Sequence, residues 1–118
     1  MDGGADASGR HVPAVSRVGG VSVGSTGRIL AWSEPVDMRK SFDGLVGQVQ
    51  NALGEDPLSG SLFVFFNRRG NYLEILIWDR TGYCLFAKRL EQGRFRLPDE
   101  RKQELSERAF HLILDGVR

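Results

Sequence analysis

The residues most able to do chemistry in this sequence are basic, and they are concentrated in one segment. Residues 61–96 carry seven cations against three anions, although the net charge of the 118-residue chain is only +1. Arginine supplies thirteen of the sixteen basic residues, and its planar guanidinium suits phosphate and carboxylate groups. The chain is therefore not a globally basic nucleic-acid binder, and any such binding must come from this local surplus. The seven cations are Arg68, Arg69, Arg80, Lys88, Arg89, Arg94 and Arg96.

Aromatic side chains are interleaved with these cations. Tyr72, Trp78 and Phe86 occupy alternating positions of apolar runs that also hold Lys88 and Arg89. Cations that neutralise phosphate beside aromatic planes are typical of single-stranded DNA binding, where each stacked base contributes about 1–3 kcal/mol. The three aromatic residues are therefore candidates for base stacking.

The elements that must position these residues are four apolar runs in residues 62–97. Three short polar breaks separate the runs, and each ends in glycine, at Gly70, Gly82 and Gly93. Glycine in the fourth place supplies the left-handed residue of a type I turn followed by a bulge. Three such turns predict a four-stranded antiparallel meander.

This turn type also predicts a register. It pairs Asn67 with Asn71 and Asp79 with Tyr83, which places Glu74 opposite Lys88. Alternation then gives one apolar core face, with Arg89 as its only charge, and one aromatic and basic face. Six of the seven cations gather at the end that holds the first and third turns. The predicted DNA-binding residues are Arg68, Arg69, Lys88, Arg89, Arg94 and Arg96.

The remaining segments predict a single α+β domain over residues 28–118, preceded by a disordered, glycine-rich tail over residues 1–27. Residues 28–32 form a short strand, and Asp37 caps one long helix that ends at Gly54. A C-terminal helix begins at Ser106. The predicted architecture is a four-stranded antiparallel meander with a short N-terminal strand, packed against the long helix, and with the C-terminal helix added.

Enzyme chemistry is not predicted. The carboxylates that could form a metal-binding trio have structural interpretations: Asp37 as a cap, Asp79 as a turn residue and Glu74 as the partner of Lys88. The two histidines lie far apart, and no phosphate loop or zinc pattern is present. We therefore expect no catalytic residues, no metal and no cofactor, and we interpret the single Cys84 as a small core residue. The apolar runs are too short for a membrane span, so the expected location is the cytoplasm.

A family resemblance rests on the order and spacing of several motifs. These are residues 35–45 (PVDMRKSFDGL), 58–65 (LSGSLFVF), 67–69 (NRR), 78–79 (WD), 82–85 (GYCL) and 88–95 (KRLEQGRF). Together they resemble the small accessory protein, often called TnpB or the second open reading frame, of bacterial insertion sequence family sixty-six. The resemblance spans about residues 29–98 and implies a non-catalytic role in DNA transposition beside a separate, larger transposase. It assigns no catalytic residues. Residues 70–74 (GNYLE) replace a further basic stretch that such proteins usually have, so the basic patch is thinner.

Two functions remain open at this point. The first is DNA binding through the basic end of the meander. The second is a protein-interaction subunit that docks on the transposase without binding DNA. Arg39 and Lys40 favour the second, because cations at the start of a helix oppose its dipole and an acidic partner or phosphate would compensate them. A purely structural interpretation is that the turn arginines are solvated and the aromatic residues lie under the C-terminal helix. The oligomeric state is also open.

Overall fold

A computed structural model of the protein describes residues 27–117 and two short upstream strands, β1 (Arg17–Val18) and β2 (Val21–Ser22), which pair antiparallel. The rest of the predicted tail, within residues 1–27, lies outside the described residues apart from Gly27. None of the described helices combines the length and the apolar character that a membrane crossing needs.

The centre of the fold is a mixed five-stranded sheet with strand order β6-β5-β4-β3-β7. Strands β3 and β4 run parallel, and the other neighbouring pairs are antiparallel. The sheet with its two helices confirms the α+β class. The strands are β3 (Ile29–Trp32), β4 (Leu62–Phe66), β5 (Tyr72–Trp78), β6 (Tyr83–Arg89) and β7 (Lys102–Leu105).

The helical part of the connection between β3 and β4 is shorter than predicted. Helix α1 spans Phe42–Gln48 and continues as one π-helical segment, Val49–Leu53, which Gly54 ends with a left-handed φ of 67°. The prediction of Gly54 as the stop is confirmed, but the prediction that Asp37 caps the helix is wrong. Val36 donates its N–H to the carbonyl of Phe66, so this part of the chain is fixed to the end of β4 and cannot join the helix.

Helix α2 (Glu107–Asp115) begins as predicted, because the hydroxyl oxygen of Ser106 accepts a hydrogen bond from the N–H of Ala109 at 3.1 Å. Phe110 and Ile113 form its buried side. Leu112, which lies between them in the sequence, is 57 % exposed.

Both faces of the sheet are buried cores, so the predicted division into one core face and one mixed face is wrong. α1 and the π-helical segment cover one face, where Leu45 and Val49 pack with Phe63, Phe65 and Leu76. We call this the α1 face. α2 covers the other, the α2 face, where Phe110 and Ile113 pack with apolar residues of four strands. Those residues include Ile29, Ala31, Val64, Phe66, Leu73, Ile75 and Leu105.

The predicted register of β4 against β5 is wrong by one residue. Phe66 pairs with Leu73 and Phe65 pairs with Glu74, because the backbone of Asn67 pairs with Tyr72 instead of Asn71. The side-chain oxygen of Asn67 accepts the N–H groups of both Asn71 and Tyr72, each at 3.1 Å. A side chain therefore occupies the place that the predicted turn gave to a backbone carbonyl, and the loop gains one residue.

The predicted register of β5 against β6 is also wrong by one residue, in the opposite direction, because the second turn is shorter than predicted. Asp79 donates its N–H to the carbonyl of Gly82 at 2.7 Å, which leaves a two-residue loop. The left-handed residue is Arg80, with a φ of 57°, and Gly82 does not need this conformation. Glu74 consequently lies opposite Ala87, and Lys88 lies opposite Leu73 on the α2 face. The predicted Glu74–Lys88 pair does not form.

The predicted fourth strand of the meander does not form beside β6. Gly93 has the predicted left-handed φ, at 80°, but the chain then leaves β6. The N–H of Phe95 donates to the carbonyl of Gly70, and Arg94 forms an isolated bridge with Val117. The ring of Phe95 is buried, with its centroid 6.2 Å from that of Phe66. The segment after Gly93 therefore buries the Phe95 ring under the first turn instead of adding a strand to the sheet.

Candidate nucleic-acid interface

An open groove of about 640 Å³ lies at the end of the sheet where β4 turns into β5. One wall is the segment that follows β3, another is the β4–β5 turn, and Arg89 at the end of β6 completes it. We call it the arginine groove. Its lining residues are Val36, Asp37, Met38, Arg39, Asn67, Arg68, Arg69, Asn71, Tyr72 and Arg89.

The charge of the arginine groove is strongly positive. Four arginines against one aspartate among the lining residues leave an excess of three positive charges. Arg68 and Arg69 are exposed at the tip of the turn, and neither has an ion-pair partner among the described residues. Among the described residues, Arg89 forms an ion pair only with nearby Glu91, at 3.3 Å, and its side chain is 68 % exposed. Exposed pairs of this kind contribute little to stability, so these guanidinium groups are available to an anion.

Asp37 holds Arg39 at the rim of the groove. The Nη2 atom of Arg39 lies 2.8 Å from Oδ2 of Asp37, and the backbone N–H of Arg39 donates to Oδ1 at 2.9 Å. These hydrogen bonds, with that of the side chain first, lower the pKa of Asp37 to about 2, and the Asp37 carboxylate raises the pKa of Arg39. Arg39 is nonetheless 91 % exposed. It belongs to the turn before α1, so the predicted conflict with the helix dipole does not arise.

The β4–β5 turn is built to present its two arginines. Nδ2 of Asn67 donates to Oδ1 of Asn71 at 2.9 Å, in addition to the two bonds that Oδ1 of Asn67 accepts. Gly70 has a φ of 74°, as predicted, and donates its N–H to the carbonyl of Asn67. Because these bonds fix the turn, Arg68 and Arg69 project from a rigid base.

Tyr72 is the aromatic residue among those that line the arginine groove, and it neighbours the buried carboxylate of Glu74. Glu74, two residues on and on the same face of β5, is only 6 % exposed. Burial raises the pKa of Glu74, while a hydrogen bond from the Tyr72 side chain acts in the opposite direction. Oε1 of Glu74 has no hydrogen-bond partner among the described residues. The phenol of Tyr72 is thus held by a hydrogen bond to a buried carboxylate.

The other predicted site residues lie outside the groove. The ammonium group of Lys88 donates to the carbonyl of Leu114 at 2.8 Å and so serves the end of α2. Arg94 and Arg96 are exposed, with Arg94 beside Gly70. The carbon chain of Lys40 lies against Gly44, where an added Cβ would meet Lys40 Cβ at 2.9 Å.

The two remaining aromatic candidates are likewise not at the groove. Trp78 lies at the opposite end of β5, with its ring centroid 5.1 Å from that of Tyr83. Phe86 is half-buried on the α2 face.

The structure thus joins two groups that the sequence treats separately. Arg39 lies in the same groove as Arg68, Arg69 and Arg89. The reason is the parallel pairing of β3 with β4, which brings the carboxyl ends of both strands to one end of the sheet. A strand, a helix and a second strand in succession would have indicated this arrangement, because such units form parallel pairs.

No metal site accompanies the groove. Within the part of the chain that the structure describes, no group of three or more histidine, cysteine, aspartate or glutamate residues could hold a metal ion. Asp43, six residues after Asp37, is exposed on α1.

The fold and the groove define an α+β domain with a localised basic surface, and comparison with known proteins gives its family. The chain belongs to the IS66 Orf2-like family, whose model matches residues 27–118. This family is that of an accessory protein of insertion-sequence transposition, and the resemblance found in the sequence is confirmed.

Two similar proteins come from Sinorhizobium fredii (strain NBRC 101917 / NGR234). The first, "Uncharacterized protein y4jC", is 38 % identical over 92 residues, which cover 76 % of this chain and 79 % of that protein. The second, "Uncharacterized protein y4hO", is 48 % identical over 62 residues, which cover 52 % of this chain and 54 % of that protein. No solved structure matches the chain at a significant level.

Proposed function

We propose that this protein is a non-catalytic accessory factor of DNA transposition that contacts DNA through the arginine groove. The observation that carries the proposal is the convergence of Arg39, Arg68, Arg69 and Arg89 on one open surface with an excess of positive charge. Guanidinium groups bind phosphate oxygens with two parallel hydrogen bonds. Membership of the IS66 Orf2-like family supports a role at DNA.

The groove favours phosphate contact over extensive base stacking. Tyr72 is the one predicted stacking residue among its lining residues, since Trp78 and Phe86 lie elsewhere. Sequence-independent binding to the backbone depends mainly on released counterions. We therefore propose that phosphate contacts dominate the affinity, with Tyr72 offering a surface for a single base.

The test is DNA binding by fluorescence anisotropy across a salt series with the full chain. For Arg68→Ala plus Arg69→Ala we expect an affinity at least about tenfold lower and a log–log salt slope smaller by about 1.5, because two phosphate contacts are lost. Arg80→Ala plus Arg108→Ala removes the same charge from other exposed positions and should leave the slope unchanged. Circular dichroism checks that both variants are folded.

The alternative function is docking on the larger transposase without DNA contact. A specific observation favours it: Arg39 is already bound by a carboxylate, that of Asp37 at 2.8 Å, and a partner carboxylate could replace Asp37 as readily as a phosphate could. No measurable DNA affinity at low salt, together with co-purification with the transposase, would favour this alternative. Equal loss of DNA affinity in the groove variant and in its charge-matched control would also contradict the proposed groove.

A further inference from the structure

Strand β6 forms an open edge of the sheet. Within residues 27–117 it pairs only with β5, because the chain after Gly93 leaves the sheet instead of adding a strand. The seven residues of β6 are therefore available for pairing along their outer side. Open edges of this length are usually protected in native proteins.

The hydrogen bonds at both ends of β6 show which backbone groups face outward. Asp79 bonds to Gly82 before the strand, and the N–H of Leu90 donates to the carbonyl of Asn71 after it. Since bonded and non-bonded pairs alternate along an antiparallel ladder, the even-numbered residues of β6 bond to β5. The outward N–H and C=O groups are those of Tyr83, Leu85, Ala87 and Arg89, and no described residue bonds to them.

The usual protection of an edge is weak here. Lys88 is the kind of residue that guards an edge, but its ammonium group is held by the carbonyl of Leu114 on the α2 face. Arg89 lies at the far end of the strand, toward the arginine groove. At the middle of the edge is Ala87, which is exposed and whose small side chain offers little steric hindrance to another strand.

We propose that β6 pairs antiparallel with β6 of a second copy of this chain, across a two-fold axis at Phe86, to form a dimer with one continuous sheet. Tyr83 then lies opposite Arg89 of the second copy, and Leu85 lies opposite Ala87 of the second copy. This register pairs all four outward residues with one another, whereas a shift by two residues would leave one of the four without a partner. Each outward residue donates one hydrogen bond and accepts one.

The charges of β6 favour this two-fold arrangement. Lys88 and Arg89 both lie at one end of the strand, so antiparallel pairing places the cations of the two copies at opposite ends, whereas parallel pairing would place like charges together. The antiparallel register also sets Arg89 over the ring of Tyr83 of the second copy, a favourable cation–π arrangement. Arg80 of one copy comes beside the turn that holds Glu91 of the other.

The first measurement is sedimentation of the full chain without DNA, from about 1 to about 200 µM, the range in which a small edge contact is expected to dissociate. We expect a monomer–dimer equilibrium. Ala87→Pro removes an outward N–H and no bond to β5, so the monomer should fold while the dissociation constant rises at least about tenfold. Ala87→Thr keeps the N–H and is the control that should still dimerise.

The second measurement tests the register with cysteines in a Cys84→Ala background. A mixture of the Leu85→Cys and Ala87→Cys variants should form a disulfide-linked heterodimer, because these positions face each other across the axis. Ala87→Cys alone should not, since the two Ala87 positions are separated by more than the about 7 Å that a disulfide can bridge. This readout also decides the matter should Ala87→Pro fail to fold.

Three results would overturn the proposal. The first is a wild-type chain that stays monomeric over the whole range, which would leave the edge to another kind of partner. The second is a dimer that persists in folded Ala87→Pro, since its interface must then lie elsewhere. The third is efficient crosslinking of Ala87→Cys by itself, which is incompatible with this register. None of these results depends on whether the arginine groove binds DNA.

Discussion

The arginine groove and the β7 edge of the sheet use the same residue types in opposite ways. At the β7 edge, Arg28 bonds to Glu55 at 3.3 Å and to Glu104 at 3.1 Å, and Lys102 bonds to Glu55 at 2.7 Å. These pairs join segments far apart in the chain. In the groove, Arg39 and Arg89 pair with acids two residues away. Pairs across the fold stabilise the tertiary structure, whereas local pairs hold a cation in place and leave it exposed.

The sequence separation between a cation and its acidic partner therefore distinguishes structural cations from candidate binding cations better than composition does. Arg101 shows the structural use clearly, because it pairs with Glu34 at 3.0 Å and lies 5.5 Å from the ring centroid of Trp32. Arg68 and Arg69 have neither kind of contact among the described residues. Four predictions test this contrast.

The largest expected effect is on stability at the β7 edge. Glu55→Ala removes the carboxylate that Arg28 and Lys102 share, which is only 18 % exposed, and leaves Arg28 with the more exposed Glu104. We therefore expect the free energy of unfolding to fall by about 2 kcal/mol. Glu91→Ala, which removes the 80 % exposed partner of Arg89, should cost less than about 0.5 kcal/mol. Urea denaturation measures both. An equal cost for the two variants would contradict the greater stabilisation expected of pairs across the fold.

The next effect concerns the rigidity of the groove. Asn67→Ala removes three hydrogen bonds of the β4–β5 turn and should lower the free energy of unfolding by about 1 kcal/mol. It should also weaken DNA binding without removing any charge. Asn67→Asp keeps the oxygen that accepts two backbone N–H groups and should recover most of the stability. Undiminished DNA affinity in folded Asn67→Ala would show that the turn need not be held.

Glu74, a buried carboxylate outside any ion pair in the described residues, gives a pH-dependent test. Because burial raises the pKa of Glu74 in the folded state, the unfolded state loses this proton at lower pH than the folded state does. The stability contribution is therefore greatest in acid and declines as pH rises from the ordinary glutamate value through the raised one. Glu74→Gln should remove this decline and be more stable at pH 7 by on the order of 1 kcal/mol. Parallel stability–pH curves for both proteins would contradict it.

The smallest effect is expected at the rim. Asp37→Asn frees Arg39 and removes the single negative charge among the groove-lining residues, so DNA affinity at low salt should rise by about threefold. Since the pKa of Asp37 is about 2, the wild-type carboxylate is ionised at every pH above about 3, and its effect on binding should not vary with pH in that range. Weaker binding in the variant would indicate that Asp37 is needed to position Arg39.

Much of the element order could be predicted from the sequence, since apolar runs, Ser106 as a cap and Gly54 as a stop are local signals. Register could not, because it depends on whether a side chain or a backbone carbonyl satisfies the turn. In the first turn, the side chain of Asn67 accepts the backbone N–H groups. In the second turn, the backbone of Asp79 bonds to Gly82 and closes a shorter loop. A shift of one residue exchanges the faces of a strand, which is why Glu74 and Lys88 ended on opposite sides.

The candidate site could be predicted only where its residues are local in the sequence. The arginines of the first turn are local to one hairpin, so Arg68 and Arg69 were found together. Arg39 reaches them only through the parallel pairing of β3 with β4, a contact between distant segments. Lys88 lies outside the groove because the observed register places it on the α2 face. Arg94 and Arg96 were lost with the fourth strand.

Strand β4 is paired on both sides and buried at all five of its residues. Its amide hydrogens can therefore reach solvent only when both halves of the fold open together. In native-state hydrogen exchange, the amides of Val64 and Phe65 should be among the slowest in the protein and should report the free energy of global unfolding. Because this strand is shared by two cores, we expect the two cores to unfold together as one cooperative unit.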